Sequence, residues 1–158
     1  MKSISLLLTA IVSTQGFAAS AQSWRLVDNI GDRPNRQTEW IDSDSLRRNG
    51  DIVRFSMQRV YETPQSTDVE GGVGLIEVNC VQATYQNPQI VLHYVGGQRI
   101  TNTAGRGVVY DVSPGSVMHT ALQMVCGRRA LGLYATDPRR ASMAFWTTNR
   151  WPRPSSTR

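Results

Sequence analysis

Between Ile52 and Tyr61 the chain alternates with a period of two: Val53, Phe55, Met57 and Tyr61 fall on one face, opposite Arg54, Ser56 and Gln58. This alternation predicts an antiparallel strand with one solvated side. Asn49-Gly50-Asp51, just before it, is the strongest hairpin signal in the chain. Shorter extended segments are read at 24–28 and 39–42, the second ending in the polar turn Asp42-Ser43-Asp44-Ser45. Residues 62–74, with Pro64 and Gly71-Gly72, read as a flexible loop, and 75–85 as a strand on which Ile76, Val78 and Cys80 share a face. Asn87-Pro88 reads as a turn into a strand at 90–95. Gly96-Gly97 and the glycines at 105 and 107 bracket further turns around Arg99-Ile100, and 107–111 is the last strand.

The period then changes. Val117, Ala121, Leu122, Met124 and Val125 make one apolar helical face over 117–126. Ser113-Pro114-Gly115-Ser116 places a capping hydroxyl before a proline at its start, and Gly127 supplies the stop. Three turns are marginal alone, so this helix must pack on the sheet. The pattern is therefore α+β: an antiparallel sheet with one helix on a face.

Met1-Lys2, the apolar run over 3–12 and the small residues ending in Ala19-Ser20-Ala21 have the layout of a cleavable signal peptide over 1–21, with the mature chain starting at Gln22. The run is too short for a membrane anchor, and no later segment is long and apolar enough to span one. The first cysteine is Cys80, so no lipobox is read, and the expected location is periplasmic or secreted. Export makes the cysteine pair informative, because an even number in an oxidising compartment is usually bridged. A Cys80–Cys126 disulfide would pin the helix to the strand carrying Cys80.

Charge divides the chain. From Gln22 to Cys126 there are 9 arginines against 11 acids, whereas 127–158 holds 7 arginines and one acid, Asp137. Three regions follow: signal peptide 1–21, body 22–126 and Arg-rich tail 127–158. In the tail Arg128, Arg129, Arg139, Arg140, Arg150 and Arg153 are interleaved with aromatic residues including Trp151. Guanidinium groups bind carboxylate and phosphate bidentately and stack on aromatics, so these seven residues are the candidates for holding an anionic partner. Asp137-Pro138 suits the start of a helix over 139–148 that would bury Met143, Phe145 and Trp146; alternatively, Leu131, Leu133 and Tyr134 pack on the sheet and the remainder stays unstructured.

Trp24, Trp40-Ile41-Asp42 with Ser45 and Gly50, the strand at 52–61, Ile76-Glu77-Val78-Asn79-Cys80, and Val112-Ser113-Pro114-Gly115-Ser116 leading to Val125-Cys126 resemble the surface-adhesin protein E-like domain of small exported Gram-negative proteins. The resemblance covers 24–126. It implies about six antiparallel strands with a disulfide-tethered helix, and an adhesin role toward host matrix proteins.

Motif chemistry adds little. His93 alternates with Leu92 and Tyr94 and reads as facing solvent, and His119 lies off the apolar stripe of the helix. Asp42 and Asp44 belong to a turn, where carboxylates serve local hydrogen bonds. No nucleophile elbow, P-loop, zinc-protease or C-x-x-C motif occurs, so no catalytic residue, metal or cofactor is assigned. The expectation is a non-enzymatic module contacting envelope components or extracellular matrix proteins, with nucleic acid excluded by export. A small exported enzyme or enzyme inhibitor using a cleft beside the helix is the alternative.

Overall fold

The computed structural model describes residues 22–65, 67–103 and 105–150. The expected signal peptide, Trp151 and Arg153 lie outside them. Among the described residues nine strands form one antiparallel sheet. They are β1 Trp24–Ile30, β2 Gln37–Asp42, β3 Arg47–Asn49, β4 Ile52–Tyr61, β5 Val69–Asn79, β6 Thr84–Tyr94, β7 Arg99–Asn102, β8 Tyr110–Asp111 and β9 Tyr134–Ala135. Their order is β7-β6-β5-β4-β2-β1-β9, with β3 paired to β4 and β8 to β6. Two helices accompany them, α1 Val117–Val125 and α2 Pro138–Thr148. None is long and apolar enough to cross a membrane. The expectation of about six strands and one helix is thus too low on both counts.

The differences have local causes. Gly71, Gly72 and Gly74, read as loop, belong to β5 and pair with Val60, Arg59 and Met57 of β4. A Cβ at Gly71 would lie 2.4 Å from the Arg59 carbonyl oxygen, so these glycines permit close strand contact rather than flexibility. The expected strand at 75–85 is broken by a turn in which the Asn79 side chain accepts from the backbone N–H groups of Val81 and Gln82, and Ala83 adopts φ 54°. Asn87-Pro88 is not a turn but the middle of β6, where the β5/β6 register shifts between Leu75 and Glu77. The shift accommodates a proline that cannot donate to the ladder. The hairpin at Asn49-Gly50-Asp51 forms with Gly50 at φ 57°.

Alternation along the strands puts a separate core on each sheet face. On one, Ile41, Val53, Phe55, Ile76 and Val78 pack against Ala121, Leu122, Met124 and Val125 of α1. The Cys80–Cys126 disulfide, with Cα atoms 5.8 Å apart, ties this helix to the end of β5. The capping hydroxyl is that of Ser116, which accepts from the His119 N–H, and Pro114 lies before the helix rather than at its first position. Gly127 at φ 76° ends it as expected.

On the other face, Trp24, Trp40 and Val60 pack against Ala135 of β9 and Ala141 and Trp146 of α2. The charge shift at Cys126/Gly127 therefore does not coincide with a change in packing. Asp137 caps α2 by accepting from the Arg140 N–H, Pro138 takes the first helical position, and Asn149 closes the helix in the left-handed region. Trp146 is buried and Phe145 half-buried, but Met143, Leu131, Leu133 and Tyr134 are exposed. Tyr134 joins the sheet through its backbone, opposite Arg25.

Candidate functional site

Arginine chemistry is the feature the sequence singles out, and partners divide the arginines into classes. Arg33, Arg36, Arg54, Arg59 and Arg139 each pair with a glutamate. Arg47, Arg48 and Arg128 are held instead by backbone carbonyls. Arg47 Nη1 donates to the Asp44 and Leu46 oxygens at 2.9 and 2.8 Å, Arg48 Nη2 to Val125 at 3.1 Å, and Arg128 Nη2 to Cys80 at 2.7 Å. A carbonyl fixes a guanidinium without neutralising it, and the remaining donors keep their full charge.

Arg48 and Arg128 meet at the disulfide. Arg48 Nη1 lies 4.0 Å from the Cys80 sulfur whose own carbonyl holds Arg128. Exposed Arg129 follows directly, and Arg47 stands beside Arg48 on the other side of β3. Asp44 and the turn residue Asp51 are nearby acids, and the Arg54–Glu77 pair borders Arg47 and Arg48 across the β3/β4 ladder, so this corner has five arginines against three carboxylates.

The five candidates among the described residues, Arg128, Arg129, Arg139, Arg140 and Arg150, are not brought together. Arg128 and Arg129 sit at the Cys80 end of β5, whereas Arg139 pairs at 2.5 Å with Glu70 at its other end. Ten residues of strand separate those ends by roughly 30 Å. Arg140 is exposed in the first turn of α2, where a cation opposes the helix dipole, and Arg150 follows the cap Asn149. Arg47 and Arg48 were not among the candidates. Their signal was an Arg-Arg doublet beside the Asn-Gly turn, which the charge count of the body concealed.

The histidines are built into local structure. His119 Nδ1 accepts from the Gly115 N–H at 3.2 Å and its Nε2 lies 3.3 Å from Gln123 Nε2. His93 is half-buried rather than freely solvated; burial lowers its pKa, Arg99 and Arg139 lower it further, and Glu70 opposes them. Asp42 accepts from the Asp44 N–H, as expected of a turn.

Polar groups also fasten α2. Trp40 Nε1 donates to Thr38 Oγ1 at 2.9 Å, Thr38 lies 2.6 Å from Ser142 Oγ, and Ser142 Oγ donates to the Pro138 carbonyl at 2.7 Å. Since Ser142 spends its one proton on Pro138, the Thr38 hydroxyl is the donor between them. At the far end of α2 the Trp146 carbonyl accepts from Arg33 and Arg36, both paired with Glu62. The hydrogen bond from Arg36 holds the Glu62 carboxyl below its usual range.

No curated protein matches the chain. Among solved structures, protein E of Haemophilus influenzae in its crystal form II aligns at 17% identity with a TM-score of 0.49, over 80% of this chain and 98% of that one. A family model described as surface-adhesin protein E matches residues 24–127, from the first residue of β1 to the glycine that ends α1. With more than half of its length matched, the chain belongs to the surface-adhesin protein E family.

Proposed function

We propose that the chain is an exported, non-enzymatic module of adhesin type that contacts an acidic protein or envelope component through the corner formed by Arg47, Arg48, Arg128 and Arg129. The observation that carries this reading is the difference in arginine partners: three of these side chains are fixed by backbone carbonyls, whereas Arg33, Arg36, Arg54, Arg59 and Arg139 each pair with a glutamate. Fixing a guanidinium in advance lowers the entropy lost on binding, and leaving it uncompensated keeps its field. Family membership supports the adhesin type and leaves the partner open.

Glutamine at Arg48, Arg128 and Arg129 together, set against glutamine at Arg139 and Arg140, separates this corner from basicity in general. Retention on envelope fractions and on immobilised matrix proteins should fall for the first variant, be sensitive to salt in the unmodified chain, and be nearly unchanged for the second. Equal loss from both variants, or from neither, contradicts the reading.

A further inference from the structure

On the face covered by α1, the helix begins only at Val117 and leaves part of the sheet open. A cleft of about 220 Å³ lies there, bounded by Met57 and Ile76 on the sheet, Gly72 and Gly74 of β5, and Val117 and Met118 of the helix. Its floor is the Glu39–Arg59 pair, joined across the β2/β4 ladder. Glu39 is only 2% exposed, while 47% of the Arg59 side chain is accessible.

Burying the Glu39 carboxylate on a sheet face costs desolvation that its half-exposed partner Arg59 has to offset, and an apolar residue of the same volume often serves stability better. Here the pair stands beside volume that no side chain fills. Arg59 gives its Nε edge to Glu39, and Nη1 reaches the Tyr61 hydroxyl at a long 3.5 Å. Among the described residues Nη2 donates to no acceptor. A guanidinium with one edge occupied can still take a carboxylate on the other. Met57, Ile76, Val117 and Met118 make an apolar side, with Tyr85 and the Asn87 amide completing the rim, and the two methionines let that side adjust to the shape of a guest.

We infer that this cleft binds a carboxylate carried on a small apolar body, with Arg59 taking the carboxylate and Met57, Ile76 and Met118 enclosing the body. A cavity of about 150 Å³ is known to hold benzene, so a phenyl ring with a short acid arm is the scale that fits. Two sources present this chemistry: a free aryl-alkyl acid, or the C-terminal carboxylate of a chain ending in an apolar residue.

Calorimetric titration of the full chain with 3-phenylpropionate, a pentapeptide ending in a free phenylalanine carboxylate, and the same peptide amidated distinguishes the sources. The acid and the free peptide should both bind if the cleft is open to either, binding by one alone assigns the source, and the amide should bind at least about tenfold more weakly. Arg59→Met should abolish the preference for the acid. Because that change strands Glu39, Met118→Trp, which plugs the cleft and keeps both charges, is the second variant and should abolish binding while the unfolding midpoint stays in place. Absence of heat with all three ligands, an amide that binds as well as the acid, or binding that survives Met118→Trp overturns the inference.

Discussion

The two faces of the sheet carry one helix each, and the helices are fastened by different means. α1 lies on a core of aliphatic residues around Phe55 and is tied covalently through Cys80–Cys126. α2 lies on tryptophans and is held by hydrogen bonds at both ends: the Trp40-Thr38-Ser142 chain near its start and the Arg33/Arg36/Glu62 clasp at its finish. A disulfide acts chiefly by restricting the unfolded chain, whereas a buried polar network specifies one docked geometry and is costly when half broken. The family match ends at 127, so α2 with Ser142 and Trp146 lies outside it, while the residues that receive them, Thr38, Trp40, Arg36 and Glu62, lie within it.

Substitutions can break this comparison one side at a time. Trp146→Ala should have the largest effect, about 3–5 kcal/mol in urea unfolding, because removing a buried indole from the core it shares with Trp24 and Trp40 leaves a cavity. Replacing Cys80 and Cys126 together by alanine should cost about 4 kcal/mol by the loop-closure argument, with faster amide exchange in α1 and little change in α2. Ser142→Ala leaves the Thr38 hydroxyl without its buried acceptor and should cost about 1–3 kcal/mol, visible as faster exchange in α2 alone. Asp137→Ala removes the α2 cap and should cost about 1 kcal/mol.

The smallest effect concerns pH. Glu62 has its pKa lowered in the fold, so its contribution is fully present above the ordinary value of 4.5 and is lost as pH falls through the lower folded value. Acidification below 4.5 should therefore loosen the end of α2 before α1, followed by exchange at the α2 carboxyl end; Glu62→Gln should remove that step. Simultaneous loosening of both helices would show that the clasp does not act locally.

Much of the α1 face is legible in the sequence, because its signals are local and periodic: alternation along β4, the helical stripe from Val117 to Val125, Gly127 as stop, and two cysteines in a chain whose first residues read as a signal peptide. The α2 face is less so. Trp40 reads as a member of a short strand, and nothing nearby shows that the Thr38 hydroxyl holding its indole N–H is itself bonded to Ser142, about a hundred residues away. The glycines of β5 mislead for a physical reason, since a residue that permits a turn also permits the close backbone approach found at Gly71. Charge arithmetic locates the arginines but not their partners. Arg139 resembles Arg128 in sequence, yet one faces Glu70 and the other a carbonyl, and only the folded arrangement distinguishes a neutralised guanidinium from an available one.

Residues 134–146 complete the second face of the sheet rather than trailing from the body. Amide hydrogen exchange across Thr38, Glu39 and Trp40 of β2, compared between the full chain and a chain ended after Gly127 with its disulfide intact, tests this directly. Exchange at these residues should be markedly faster in the shortened chain, because the cover over Thr38 and Trp40 is gone. Protection equal to that of the full chain would contradict it.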